Sequence, residues 1–140
     1  MKQFIQYAIA ATLAATSLAH AADMTIDVTG LKNANGKIMV AVFDNADHFL
    51  KQPIRTGTGT VDAQTGTVHM LLTDLPPGDY AISLFHDQNS NGKLDKNPIG
   101  MPIEPYGFSN DAAGAYGPPT FQQSLTHLAD TGSVVKVSLR

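Results

Sequence analysis

The chain has 140 residues, no cysteine and a formal net charge of −3. The lack of cysteine excludes disulfides, zinc–thiolate sites and thiol nucleophiles. The acidic balance disfavours nucleic-acid binding, which depends on a basic surface.

The first 21 residues have the pattern of a secretory signal peptide. Lys2 precedes an apolar run through Leu18, and Ala19-His20-Ala21 provides small residues for cleavage. Removal of Lys2 leaves eight basic against twelve acidic side chains, a charge of about −4. We expect a periplasmic or secreted protein with one domain over residues 22–140. No membrane insertion is expected, because no long apolar run follows the leader.

After the leader, apolar residues recur at every second position between runs of Gly, Asn, Asp and Pro. This spacing is typical of half-buried β-strands. Seven strands are predicted, at residues 24–29, 38–43, 56–61, 67–73, 81–86, 121–128 and 134–139. The unbroken apolar runs 38–43 and 81–86 indicate central strands, whereas the glycines of 56–61 indicate an edge strand. Asp44–Gln52 is predicted to form one helical turn.

Tyr80 follows the corner Pro76-Pro77-Gly78. This position predicts a tyrosine corner, in which the ring packs inward and the hydroxyl bonds the backbone of the preceding turn. His69 is predicted to face solvent. The whole pattern predicts an all-β fold, a two-layer antiparallel β-sandwich of immunoglobulin or transthyretin type with about seven strands. A small closed barrel is the alternative.

A stretch of 32 residues, Gln88–Pro119, lacks periodicity and contains five of the eight prolines. Its apolar and aromatic residues are unlike those of a disordered linker. They are Ile99, Met101, Ile103, Tyr106, Phe108 and Tyr116. We expect this long Pro/Gly-rich loop to pack over one end or one face of the sandwich.

The loop begins with oxygen-bearing residues at the spacing of a calcium loop. The candidate ligands are the side chains of Asp87, Asn89, Asn91 and Asp95 and the carbonyl of Lys93, with a turn at Gly92. Pro98 occupies the place of the usual twelfth ligand, so Glu104 is the candidate to close the site. With so few charges, calcium is expected to bind at a Kd on the order of 10⁻⁴ to 10⁻³ M. Alternatively, the Asp and Asn residues form Asx turns without a metal.

Three stretches carry a family resemblance: Phe85–Asp95, Gly100–Asn110 and Gly117–Phe121. Together with Leu75–Tyr80 and the strand 38–43, they resemble the bacterial domain-of-unknown-function family 2141 over essentially the whole chain after the leader. The resemblance implies an exported, single-domain β-protein. It implies no reaction.

Three functional hypotheses follow. The first is a non-catalytic binding or structural module of the cell envelope, which presents Tyr106, Phe108 and Tyr116 to an envelope protein, a glycan or a small molecule. These rings are alternatively the core of the loop.

The second hypothesis is a small hydrolase that uses His86 with Asp87, Glu104 or Ser109. Neighbouring residues of a strand point to opposite faces, which disfavours a direct His86–Asp87 pair. Ser109 lacks the glycine-flanked turn of a nucleophile elbow.

The third hypothesis is a carrier of a small ligand or a soft metal. Its candidate ligands are Met39, Met70, Met101, His48, His69, His86 and His127. They form no short cluster with ligand spacing.

Overall fold

A computed structural model describes residues 20–140. The predicted leader, Met1–Ala21, lies outside these residues except for its last two. The described chain forms eight strands and two short 3-10 helices. In chain order they are β1 (Ala22–Thr29), β2 (Lys37–Phe43), β3 (Arg55–Thr60), β4 (Val68–Leu75), β5 (Gly78–Asp87), β6 (Tyr106–Phe108), the helices Ser109–Asp111 and Gln122–Ser124, β7 (Leu125–Leu128) and β8 (Ser133–Ser138).

The strands form two sheets, which confirms the predicted all-β sandwich. The smaller sheet has the order β4-β1-β8, and the larger has the order β3-β2-β5-β6 with β7 also paired to β5. As predicted, β2 and β5 are central and β3 is an edge strand. The pairing of β1 with β8 is parallel, so the smaller sheet is mixed.

The core lies between the sheets because alternate side chains of each strand face inward. Met24, Ile26 and Val28 of β1 and Val137 of the neighbouring β8 are fully buried, as is Ile82 of β5 in the other sheet. Burial of each such side chain contributes about 1.5–3 kcal/mol. The hydrophobic effect of this core therefore holds the two sheets together without any disulfide.

A second, smaller apolar cluster covers the outer face of the larger sheet. Its buried members are Phe43, Phe49, Ala81 and Phe108. The ring of Phe49 lies edge-on to Phe43, with centroids 5.3 Å apart, and to Phe121 at 5.8 Å. Phe49 belongs to the predicted helical turn, which is a series of hydrogen-bonded turns in which Gln52 N donates to His48 O at 2.9 Å. Phe108 belongs to the long loop Gln88–Pro119, so the loop packs over one face of the sandwich, as expected.

One edge of the sandwich is joined by backbone hydrogen bonds. Tyr106 N donates to Arg140 O at 3.2 Å, and Arg140 N donates to Tyr106 O at 3.0 Å. These bonds connect β6 of the larger sheet to the chain that leaves β8 of the smaller sheet. The long loop is therefore tied to both layers.

Two residue-level predictions are confirmed. The Tyr80 hydroxyl donates to Pro76 O at 2.6 Å while its ring is buried, as a tyrosine corner requires. His69 is exposed and lies across from Asp27, with Nδ1 and Oδ1 2.7 Å apart.

Two segments differ from the predicted pattern. β6 lies inside the stretch predicted to be a loop, and only the last four residues of 121–128 form a strand. Both strands are short and pair with β5 side by side, β7 with Gly78–Ala81 and β6 with Ser83–Phe85. Their order depends on that partner more than on their own sequence. Within residues 20–140, no helix is long and apolar enough to cross a membrane.

Candidate binding cleft and oxygen-rich loop

A cleft of about 830 Å³ lies on the outer face of the larger sheet. Its floor comes from β5 and β6, which are paired so that Phe85 lies opposite Tyr106 and Ser83 lies opposite Phe108. Directly opposed residues project to the same face of a sheet, which places these four side chains together. The floor is therefore mainly aromatic, with hydroxyl groups from Ser83 and Tyr106.

One wall of the cleft is a hairpin-like segment, residues 95–103, which we call the tongue. Its ends are joined by a bond from Ile103 N to Asp95 O at 2.9 Å, and Asn97 N donates to Met101 O at 2.9 Å. The Asn97 side chain holds the tip, since its Oδ1 accepts from Ile99 N at 3.1 Å and from Met101 N at 2.9 Å. The opposite wall is formed by residues 114–118.

The rim of the cleft is apolar and exposed. Leu50, Ile99, Met101 and Tyr116 line the cleft and belong to the exposed large hydrophobic side chains. Ile99 is 84% exposed and Met101 57% exposed, and Tyr116 is fully exposed. Single exposed apolar residues are common on proteins, but a group of them around one concave surface is characteristic of a binding site.

The three aromatic residues predicted to bind a partner all line this cleft. Phe108 is buried and packs with Phe49, at a centroid distance of 6.3 Å, so it has a structural role in the second cluster. Tyr106 is half-buried in the floor, and Tyr116 projects freely from the wall. Phe108 therefore belongs to the core of the loop, whereas Tyr106 and Tyr116 are accessible to a partner. Contact of Tyr106 and Tyr116 with a partner stays a prediction.

The oxygen-rich loop begins at the end of β5. Asp87 is fully buried, and its Oδ1 accepts from Asn91 N at 3.0 Å while its Oδ2 accepts from Gly92 N at 2.9 Å. The side-chain Oδ1 of Asn91 in turn accepts from Lys93 N at 2.9 Å. The Asn91 bond, like that from Asn91 N to Asn89 Oδ1 at 3.1 Å, spans two residues and forms an Asx turn. The Asp87 carboxylate instead holds the amides four and five residues on.

The middle of this loop converges on Asp95. Its Oδ2 accepts from Asn89 Nδ2 at 2.6 Å, and Asn91 Nδ2 donates to both carboxylate oxygens at 2.9 and 3.0 Å. Three of the predicted calcium ligands are therefore within hydrogen-bond distance of one another. Among residues 20–140 there is no group of three or more His, Cys, Asp or Glu side chains that could hold a metal.

Glu104 closes the loop from outside. It is buried, and its Oε1 accepts from Gln88 N at 2.9 Å while its Oε2 accepts from Asp95 N at 3.0 Å. Both ends of the loop are thereby fixed by one carboxylate. Oxygen ligands suit a hard cation, but the hydrogen bonds of the loop form without one.

His86 and Ser109 of the hydrolase hypothesis lie in hydrogen-bond networks separate from each other and from the loop that holds Asp87 and Glu104. His86 is buried, and its Nε2 donates to Asn35 O at 2.6 Å, which leaves Nδ1 without a hydrogen-bond partner among the described residues. Ser109 is also buried; its Oγ accepts from Ile82 N at 2.8 Å and donates to Ser124 O. The Ser109 hydroxyl thus fills the gap between β6 and β7 along β5, where it accepts from one backbone group and donates to another.

The candidate soft-metal ligands are dispersed. His127 lies beside Asp79, with 2.8 Å between Nδ1 and Oδ1, and His48 lies beside Asn45 at 3.1 Å. Met70 is buried in the core, whereas Met101 is on the tongue. A soft-metal site would need these side chains at one point.

Three cleft residues were not proposed from the sequence as site residues: Ser83, Phe85 and Lys96. Ile99 and Met101 were named among the apolar residues of the loop, but not as partner-binding residues. Strand alternation places Ser83 and Phe85 on the face opposite the buried Ile82 and Leu84. An aromatic residue on the outer face of a central strand indicates that something covers that face, and this signal was available.

Comparison with known proteins agrees with the resemblance noted from the sequence. No curated protein and no solved structure gives a significant match. Residues 26–136 match the family model of DUF2141, described as an uncharacterized protein conserved in bacteria. This match spans most of the chain, from β1 to β8, and the chain therefore belongs to DUF2141.

Proposed function

We propose that this protein is an exported, non-catalytic binding module of the cell envelope, which holds an apolar ligand between the tongue and the larger sheet. The observation that carries the proposal is the exposed apolar rim of Ile99, Met101 and Tyr116 around an aromatic floor. A ligand in the cleft would cover part of each of these side chains and remove it from water. Burial contributes about 25 cal/mol for each Å² of apolar surface.

The size and chemistry of the cleft agree with this role. Its volume of about 830 Å³ falls within the range of small-molecule pockets, roughly 300–1,000 Å³. Such pockets are lined mainly by apolar and aromatic side chains with few polar groups. The tongue is fixed at its base by Glu104 and at its tip by Asn97, so little ordering is required on binding.

We further propose that the oxygen-rich loop binds calcium weakly and so stiffens the tongue. The residues that would hold the ion are Asp87, Asn89, Asn91 and Asp95, with the Lys93 carbonyl and Glu104 completing the predicted set. Asp95 links the two features because it is both the acceptor of two amide groups and the first residue of the tongue. An ion at this carboxylate would therefore hold the base of one cleft wall.

The binding proposal is tested with a neutral apolar fluorescent probe, N-phenylnaphthylamine, and the double variant Ile99→Ser/Tyr116→Ala. We expect the native protein to enhance the probe's emission and the variant to lose most of that enhancement. Both side chains are exposed, so the change in stability should stay within about 0.5 kcal/mol.

Leu71→Ser is the matched control. Leu71 is exposed to a similar degree, 60%, on the outer face of the smaller sheet, away from the cleft. The control should enhance emission as the native protein does. Absence of any enhancement by the native protein, or equal enhancement by the double variant, would refute the proposal.

A further inference from the structure

We infer that the ligand of this cleft is a single-chain aliphatic carboxylate, with its hydrocarbon over the aromatic floor and its carboxylate at Lys96. This inference rests on the proposed binding function and names the chemical class of the ligand. Lys96 is the only charged residue among those that line the cleft.

The ammonium group of Lys96 is available to a ligand. The ion pairs among residues 20–140 involve His69 and His127, and the Lys96 side chain makes no hydrogen bond to any of those residues. The adjacent Asp95 carboxylate is engaged by two asparagine amides. Among residues 20–140, that carboxylate forms no ion pair with Lys96.

The position of Lys96 is fixed although its side chain is exposed. Its backbone pairs with Pro102 across the tongue, between the bonds made by Asp95 and Asn97. The protein as a whole is acidic, with a net charge of −3, so an anion is repelled by most of the surface. A cation at an apolar cleft on an acidic protein favours an amphipathic anion at that place.

The remainder of the lining favours a hydrocarbon over a sugar or a peptide. The floor offers the hydroxyl of Ser83, which is half-buried and makes no hydrogen bond within residues 20–140, together with Phe85 and Tyr106. A glycan or peptide would bring several hydroxyl or amide groups into this lining. The side chains of the lining offer few partners for them, the hydroxyls of Ser83, Tyr106 and Tyr116 and the Lys96 ammonium, so most of their hydrogen bonds to water would be lost.

The test compares three probes of equal chain length by calorimetry, below their micelle-forming concentrations: decanoate, decanol and decyltrimethylammonium. We expect decanoate to bind about two- to fivefold more tightly than decanol, which corresponds to one exposed ion pair. The ammonium probe should bind most weakly. Lys96→Gln should remove the advantage of decanoate and leave decanol unchanged, Lys96→Arg should retain it, and Lys136→Gln is the control on the smaller sheet.

Methyl NMR of the methionines locates the ligand. The Met101 methyl signal should shift on addition of decanoate, while that of Met70, buried between the sheets, should not. If decanoate and decanol bind equally and Lys96→Gln changes neither, the inference is wrong and the binding function stands. If no probe binds, both fail. Preferential binding to anionic vesicles through the tongue tip, without a Kd for monomeric decanoate, would also overturn the inference.

Discussion

At the scale of single residues, Tyr80 shows how a corner couples folding to ionisation. Its ring is buried and its hydroxyl donates to Pro76 O, which can only accept. Burial, and to a lesser degree the negative charge of Asp44, raise the pKa of Tyr80 above its ordinary value of 10.0. The fold therefore favours the protonated phenol.

Tyr80→Phe should reveal this coupling as a function of pH. At neutral pH the variant should be less stable by about 1 kcal/mol, since one hydrogen bond is lost. Above a pH of about 10 the unfolded chain releases the phenol proton first, so the native protein loses stability as pH rises. The stability difference between the native protein and the variant should therefore shrink, as measured by urea unfolding from about pH 8 to about pH 11.

Tyr116→Phe serves as the control for this experiment, because Tyr116 is fully exposed. It should match the native protein throughout the range. A difference between native protein and Tyr80→Phe that stays constant across the range would contradict the assignment of the raised pKa to this corner.

At the scale of elements, β3 is an edge strand whose inward positions are glycines. A Cβ atom at Gly59 would lie 2.6 Å from Met70 Cγ and 2.7 Å from Val68 Cγ1. At Gly57 the nearest atoms, Leu72 Cδ2 and Val40 Cγ1, are at 3.0 and 3.1 Å. The missing side chains let β3 approach β4 of the other sheet closely.

Gly59→Ala should therefore destabilise the fold by about 1–3 kcal/mol through overpacking. Gly57→Ala should cost less, because its nearest contacts are longer and involve side-chain ends. Thr58→Ala, which changes the exposed position between them, should have little effect. Thermal unfolding ranks the stabilities of the three variants. Equal stability of Gly57→Ala and Gly59→Ala would show that β3 can move away from β4.

The elements differ in how far sequence determines them. The strands β1 and β4 were predictable because alternation over six or more residues specifies a buried face. The strands β2 and β5 were predictable because a short unbroken apolar run between turn residues indicates a strand covered on both faces. The three residues of β6 carry no such pattern, and their order comes from pairing with β5 and from the bonds to Arg140. The parallel pairing of β8 with β1 was also beyond the sequence, since alternation is the same in both directions.

The candidate site was predictable only where it depends on residues that are close in the sequence. The spaced Asp and Asn residues identified the oxygen-rich loop, because local turns depend on nearby residues alone. The cleft depends on contacts between distant segments, residues 83–85, 94–102 and 114–118. Tyr106, Phe108 and Tyr116 were predicted together as partner-binding residues. The role of Lys96 depends on its position in the tongue, which the sequence does not show.

At the scale of the whole molecule, the sandwich and the loop have different sources of stability. The sandwich depends on the apolar core between the sheets, while the tongue exposes Ile99, Met101 and Ile103 and depends on hydrogen bonds at its base. An element with few buried apolar contacts opens at lower free-energy cost than the core. Any ion that stiffens the base of the tongue would therefore act on the cleft before it acts on the core.

Calcium titration into chelator-treated protein tests whether an ion bound to the oxygen-rich loop stabilises the folded protein. At a Kd of about 10⁻³ to 10⁻⁴ M, free calcium at about 10 mM stabilises the folded state by about 1.4–2.7 kcal/mol. The Tm should rise by roughly 5–10 °C if the domain melts as one unit. Magnesium should have a smaller effect, because it requires stricter octahedral geometry and retains its waters.

The matched variants are Asp95→Asn, at the convergence point of the loop, and Asp79→Asn, at an exposed carboxylate on β5 outside it. Asp95→Asn should abolish the calcium-induced rise in Tm, and Asp79→Asn should retain it. Because each rise is measured against the same variant without calcium, any loss of stability from the substitution itself cancels. A native protein whose Tm is unchanged by calcium would leave the loop held by its hydrogen bonds, with the Asp95 carboxylate bound by the amides of Asn89 and Asn91.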